Sequence, residues 1–140
     1  MSPASPSDWN AATAPGLDAF RDMAEQAFAL LPEEFRALAG EIQFRVAEFP
    51  DGDVVREMRL DSPFDILGLF EGIGLAHDSA TEQTGRLPNR IWLYRRPILD
   101  YWAEHEETLG AIVSHVLIHE IGHHFGLSDD DMEALEASVE

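Results

Sequence analysis

Cysteine and lysine are both absent from this 140-residue chain. Without cysteine there can be no disulfide, no thiolate nucleophile and no sulfur-ligated zinc. Without lysine, Schiff-base and lysine-nucleophile chemistry are excluded. Positive charge is scarce altogether: nine arginines face 27 acidic residues, for a net charge of −18. A surface this acidic repels phosphate backbones and anionic membranes. Neither nucleic acid nor a membrane is therefore expected as a partner, and if the substrate is a peptide or protein, a basic or neutral one is favoured on approach. No apolar run approaches the roughly 20 residues of a membrane span. The start, Met1 to Asp8, has neither a basic segment nor an apolar one, which predicts a cytoplasmic protein with no secretory signal. Any metal chemistry is left to histidine and carboxylate.

Those residue types concentrate in one place, Val116-Leu117-Ile118-His119-Glu120-Ile121-Gly122-His123-His124-Phe125-Gly126-Leu127-Ser128-Asp129. The core is H-E-x-x-H, extended to H-E-x-x-H-x-x-G-x-x-D. On a helix His119 and His123 lie about 40° and one turn apart, so two imidazoles can converge on one tetrahedral ion. Glu120 falls in the same broad sector, close enough to act as a base beside the ion without being a ligand. A third protein ligand is needed. Gly126 can take the left-handed conformation that ends a helix, and Asp129 can then return toward the ion with a carboxylate oxygen. A His119, His123 and Asp129 set is thus a chemically reasonable way to hold a zinc ion, with Glu120 near its bound water. The flanking apolar residues Leu109, Ile112, Val113, Val116, Leu117, Ile118 and Ile121 predict a helix, about 107 to 125, buried nearly all round. A metal-free polar core, hydrogen-bonded within itself, is the competing reading of the same residues.

The remaining chain reads as one domain, 15–140, preceded by a tail, 1–14, that is rich in Ala, Pro and Ser and expected to be disordered. Apolar residues at three-and-four spacing from Leu17 to Leu31 predict a helix, and Pro32 starts a second, short one that Gly40 ends. Alternation over Glu41 to Phe49 predicts a half-buried strand, followed by a turn at Pro50 to Asp53 and a short helix over Val54 to Leu60. A second strand is expected over Phe64 to Gly74; its glycines mark bulges or points where another backbone comes close. A polar loop is expected at 76–87. An aromatic third strand is expected over Ile91 to Arg96, stopped by Pro97, then a helix over Ile98 to His105. The last helix should run from Asp129 to Val139 with Ser128 as its N-cap. Asp129 has a rival role there as a capping acid. His115 forms a second four-residue pair with His119, but the glutamate follows His119, so His115 is expected to support the site or the core. His124 points away from His123 and should pack structurally.

From about residue 17 to 137 the chain resembles the small bacterial zincin-like metallopeptidases. The residues that carry the resemblance are Leu31-Pro32, the strand end Glu48 to Asp51, Leu67-Gly68-Leu69-Phe70-Glu71-Gly72, Leu87-Pro88-Asn89-Arg90-Ile91 and the motif His119 to Asp129. The resemblance implies an α+β zincin fold, with the H-E-x-x-H helix under a small mixed sheet. It also implies hydrolysis of peptide bonds with Zn2+ on His119, His123 and Asp129 and Glu120 as base. The G-x-x-D extension is similar to the binding motif of metzincins, but only eleven residues follow Asp129 and Met132 falls in an expected helix. A metzincin methionine turn does not fit, so the floor of the site must be built differently. Two alternatives stand beside the peptidase: a zincin-fold binding module with a structural zinc, and a metal-dependent endoribonuclease, which the acidic charge disfavours.

Overall fold

A computed structural model describes residues 6–72 and 89–139. Among these, three strands and six α-helices form an α+β fold. In chain order they are α1 (Leu17–Ala29), α2 (Glu33–Ala39), β1 (Ile42–Ala47), α3 (Gly52–Glu57), β2 (Gly68–Glu71), β3 (Asn89–Tyr94), α4 (Arg95–Glu104), α5 (Leu109–His124) and α6 (Asp129–Ser138). Pro6–Ala11 forms a 3-10 helix ahead of them, with Trp9 exposed. The loop expected at 76–87 lies outside the described residues. None of the described helices is long and apolar enough to cross a membrane.

The sheet has the order β1-β3-β2. β1 runs parallel to β3, Ile42 opposite Asn89 and Ala47 opposite Tyr94. β2 runs antiparallel to β3, Gly68 opposite Leu93. A mixed sheet of this kind needs a crossover between its parallel strands, and the chain from β1 to β3 supplies it. Helix α5 lies against the sheet, with α1 packed on it. The core is one cluster in which Phe20 and Ala24 of α1 meet Ile91 and Leu93 of β3 and Ile112, Val113, Leu117 and Ile121 of α5. Gly68 is pressed against both α5 and β3: a Cβ there would lie 2.6 Å from Val116 Cγ1 and 2.7 Å from the Trp92 carbonyl oxygen.

Four sequence-based expectations need correction. Among the described residues the second strand covers Gly68–Glu71 and starts later than Phe64, because Ser62 and Asp65 cap a 3-10 turn over Pro63–Asp65; its expected end at residues 73–74 lies outside the described residues. The helix expected from Val54 begins at Gly52, since Asp51 accepts a hydrogen bond from the Val54 amide and caps it there. Pro97 does not stop β3; it is fully buried in the first turn of α4, where a missing N–H costs nothing. Helix α5 is not buried all round. Its apolar faces meet the sheet and α1, but His115 and His123 are exposed and His119 is part-buried, which leaves a histidine strip open to solvent.

Candidate metal centre

The two ends of α5 are fixed locally. Thr108 Oγ1 accepts from the Ala111 amide, 3.1 Å, and starts the helix. At the other end Gly126 adopts φ +79°. Its amide bonds to the His123 carbonyl at 3.2 Å, and the Leu127 amide to the Gly122 carbonyl at 2.9 Å. This pair of bonds is a Schellman termination, which requires a left-handed residue and so favours glycine. The chain reverses within two residues and Ser128 opens α6 at once. Ser128 Oγ accepts from the Asp131 amide at 3.1 Å, and Asp131 Oδ2 accepts from the Ser128 amide at 3.3 Å. The capping acid is therefore Asp131. No hydrogen bond among the described residues uses the Asp129 carboxylate, which sits exposed in the first turn of α6.

Helix α6 is clamped to α5 by Met132, which is fully buried. A Cβ on Gly122 would lie 2.7 Å from Met132 Sδ and 3.0 Å from its Cγ, so the glycine inside the motif is the socket for this methionine. Met132 thus lies in a helix that backs the motif, and no turn carries it. One turn further on, Glu136 reaches the histidine strip. Its Oε2 lies 2.6 Å from His119 Nε2 and 3.0 Å from His115 Nδ1, and its Oε1 lies 3.1 Å from the same His115 nitrogen. The rings of His115 and His119 stack with centroids 4.0 Å apart. His115 is thus part of a surface cluster, and its role as a core histidine is ruled out by its exposure. Burial works against the charge of Glu136, but hydrogen bonds from His115 and His119 outweigh it and hold the carboxyl below its ordinary range.

Of the sequence-derived residues, His119 and His123 stand edge to face, with centroids 5.7 Å apart. Asp129 and His123 are not gathered with His119 into one ligand cluster. Among the described residues, the histidine and carboxylate donors that lie together, all within 4.8 Å of one another, belong to His115, His119 and Glu136. Imidazole nitrogens and a carboxylate oxygen are a zinc-compatible donor set, so the side chains present fit the ion that the motif implies. Glu136 carries no motif. The signal for it was its place on α6: it shares the buried stripe with Met132, Leu135 and Val139, where a charge needs a partner.

Glu120 is part-buried, within electrostatic reach of both the histidines and Tyr94. Burial raises its carboxyl above the usual range, against the opposing pull of His123 and His115. Tyr94, only 2% exposed, has its hydroxyl pushed up to about 12 by burial and by the carboxylates of Asp51, Glu71 and Glu120. It stacks on Trp92, whose Nε1 donates to Glu71 at 3.1 Å. His124 packs its ring on Phe70, centroids 4.6 Å apart, and closes the contact between the end of α5 and β2.

Comparison with curated proteins returns no match. A family profile described as zincin-like metallopeptidase matches residues 39–139, from the end of α2 through the sheet, the motif helix and α6. With an H-E-x-x-H helix beneath a mixed sheet and a zinc-compatible donor set shared by that helix and α6, the chain belongs to the zincin-like metallopeptidase family.

Proposed function

We propose that this protein is a zinc-dependent peptidase of unassigned specificity, with His119, His123 and Asp129 as the ligands and Glu120 as the general base. The observation that carries the reading is Glu120. It is a part-buried carboxylate with no hydrogen-bond partner among the described residues, set beside imidazoles and made more basic by burial. A base needs a free lone pair and a pKa lifted toward working pH, and Glu120 has both. Asp129 supports the ligand set because Asp131 has taken the capping role and no hydrogen bond among the described residues uses the Asp129 carboxylate.

Zinc, when bound, supplies Lewis acidity to such a site. The protein's own part is proton movement and orientation. Glu120 accepts a proton from the attacking water and returns it to the leaving amine, so the water's hydroxyl ends on the carbonyl carbon and its proton on the amine nitrogen. Among the described residues β2 is an edge strand beside α5, and an extended peptide could add to it by main-chain hydrogen bonds. The acidic surface selects basic or neutral peptides on approach.

The test is Glu120→Gln, assayed on a random peptide library biased toward basic and neutral sequences. The substitution keeps the shape and removes the base, so cleavage should fall by about 10²-fold or more while zinc content is retained. Equal cleavage by both proteins would overturn the mechanism. Zinc binding with no cleavage by either would favour a binding module with a structural ion.

A further inference from the structure

We propose that His115, His119 and Glu136 form a second divalent-cation position, distinct from the motif set and exclusive with it because both need His119. It calls on no peptide chemistry and does not depend on the peptidase reading.

Three observations carry it. The first is spacing. With zinc–nitrogen and zinc–oxygen bonds of about 2.0–2.1 Å, two ligand atoms of a tetrahedral site stand about 3.3 Å apart. Glu136 Oε2 already lies 3.0 Å from His115 Nδ1 and 2.6 Å from His119 Nε2. Small outward movements of side chains that are 49%, 25% and 30% exposed would admit an ion. The second is that the trio is held by the fold. His115 and His119 are one turn apart on α5, and Glu136 is brought to them from α6 by the Gly126 turn and by Met132 seated on Gly122. The third is access. His115 and Glu136 line a recess of about 900 Å³ whose other walls include Met23, Tyr101, Ser114 and Val139. Two imidazoles and a carboxylate leave one coordination position, and two of the three ligands line the recess.

The consequence is that one ion has two places to sit. Rotation of His119 between Glu136 and the motif ligands would decide which set holds it. Glu136 then acts either as a ligand itself or as the carboxylate that keeps His119 occupied while the motif site is empty. Zinc is the ion best matched to two nitrogens and one oxygen in tetrahedral array.

The experiment is titration of the full-length protein with zinc chloride by calorimetry, with circular dichroism on every variant. His123 and Asp129 are exposed, so His123→Ala/Asp129→Ala removes the motif ligands with little risk to the fold. That double variant should still bind about one zinc. Adding Glu136→Gln to it should weaken binding by at least about 10-fold, the scale on which a ligand environment governs affinity. His119→Asn should abolish both modes. If His123→Ala/Asp129→Ala binds zinc no better than His119→Asn, the second position does not exist and the motif set stands alone. If the double variant binds as tightly as the parent, and Glu136→Gln weakens the parent by itself, the proposal holds and the motif ligand set fails. A parent protein that takes up no zinc overturns both.

Discussion

Met132→Ala tests whether α6 is held to the motif helix by one buried side chain. Met132 is 0% exposed, and its Sδ and Cγ occupy the space that a side chain on Gly122 would need. Truncation deletes Cγ, Sδ and Cε from a fully enclosed site. Gly122 has no side chain that could move in to fill the space. Losses of this kind cost about 2–5 kcal/mol, and a socket with a rigid glycine floor should fall near 3 kcal/mol. For a domain of this size that corresponds to a melting temperature about 10 °C lower, read by differential scanning calorimetry on metal-free protein. Met132→Leu, which nearly conserves volume, should cost less than about 1.5 kcal/mol. A Met132→Ala protein that melts within about 2 °C of the parent would refute the socket argument. It would mean that Leu135, Val139 and the Ser128 capping box dock α6 without the methionine.

Two further outcomes follow from the geometry. Gly68→Ala should destabilise by about 2 kcal/mol, since the new methyl meets both Val116 and the unyielding Trp92 carbonyl; an unchanged urea midpoint would show that β2 can shift to accommodate it. Tyr94 ionises in the unfolded chain near 10 but in the fold only at about 12, so the unfolded state loses the proton first and stability must fall across that window, by about 3 kcal/mol in all. Tyr94→Phe should remove this alkaline slope, and a tyrosinate signal of Tyr94 appearing near pH 10 would contradict the assignment.

Most of the local structure could be read from the chain because it depends on near neighbours. The apolar run in α5, Gly126 as its left-handed stop and Ser128 as the next cap each answer to residues within five positions. Glycine as a mark of close approach is borne out at Gly68. The misread boundaries also have local causes. Pro97 is compatible with both a strand end and a helix start, and only the backbone direction after Tyr94 decides between them. The 3-10 turn at Pro63–Asp65 takes up Phe64 and Asp65, the first residues of the expected second strand.

The family was legible too, because H-E-x-x-H-x-x-G-x-x-D fixes residue type and helical phase at once. The arrangement of donors around the histidine strip was not. Nothing in the spacing says that β3 lies between β1 and β2, or that Glu136 meets His115 and His119 across 21 and 17 positions of chain. Helical phase determines which residues of α5 share a face, and that was present in the sequence. Which side chains from elsewhere come to that face is decided by packing, here by Met132 entering the gap at Gly122 and carrying Glu136 with it. Contacts between residues far apart in the chain depend on the whole core closing at once, so they belong to the tertiary structure alone.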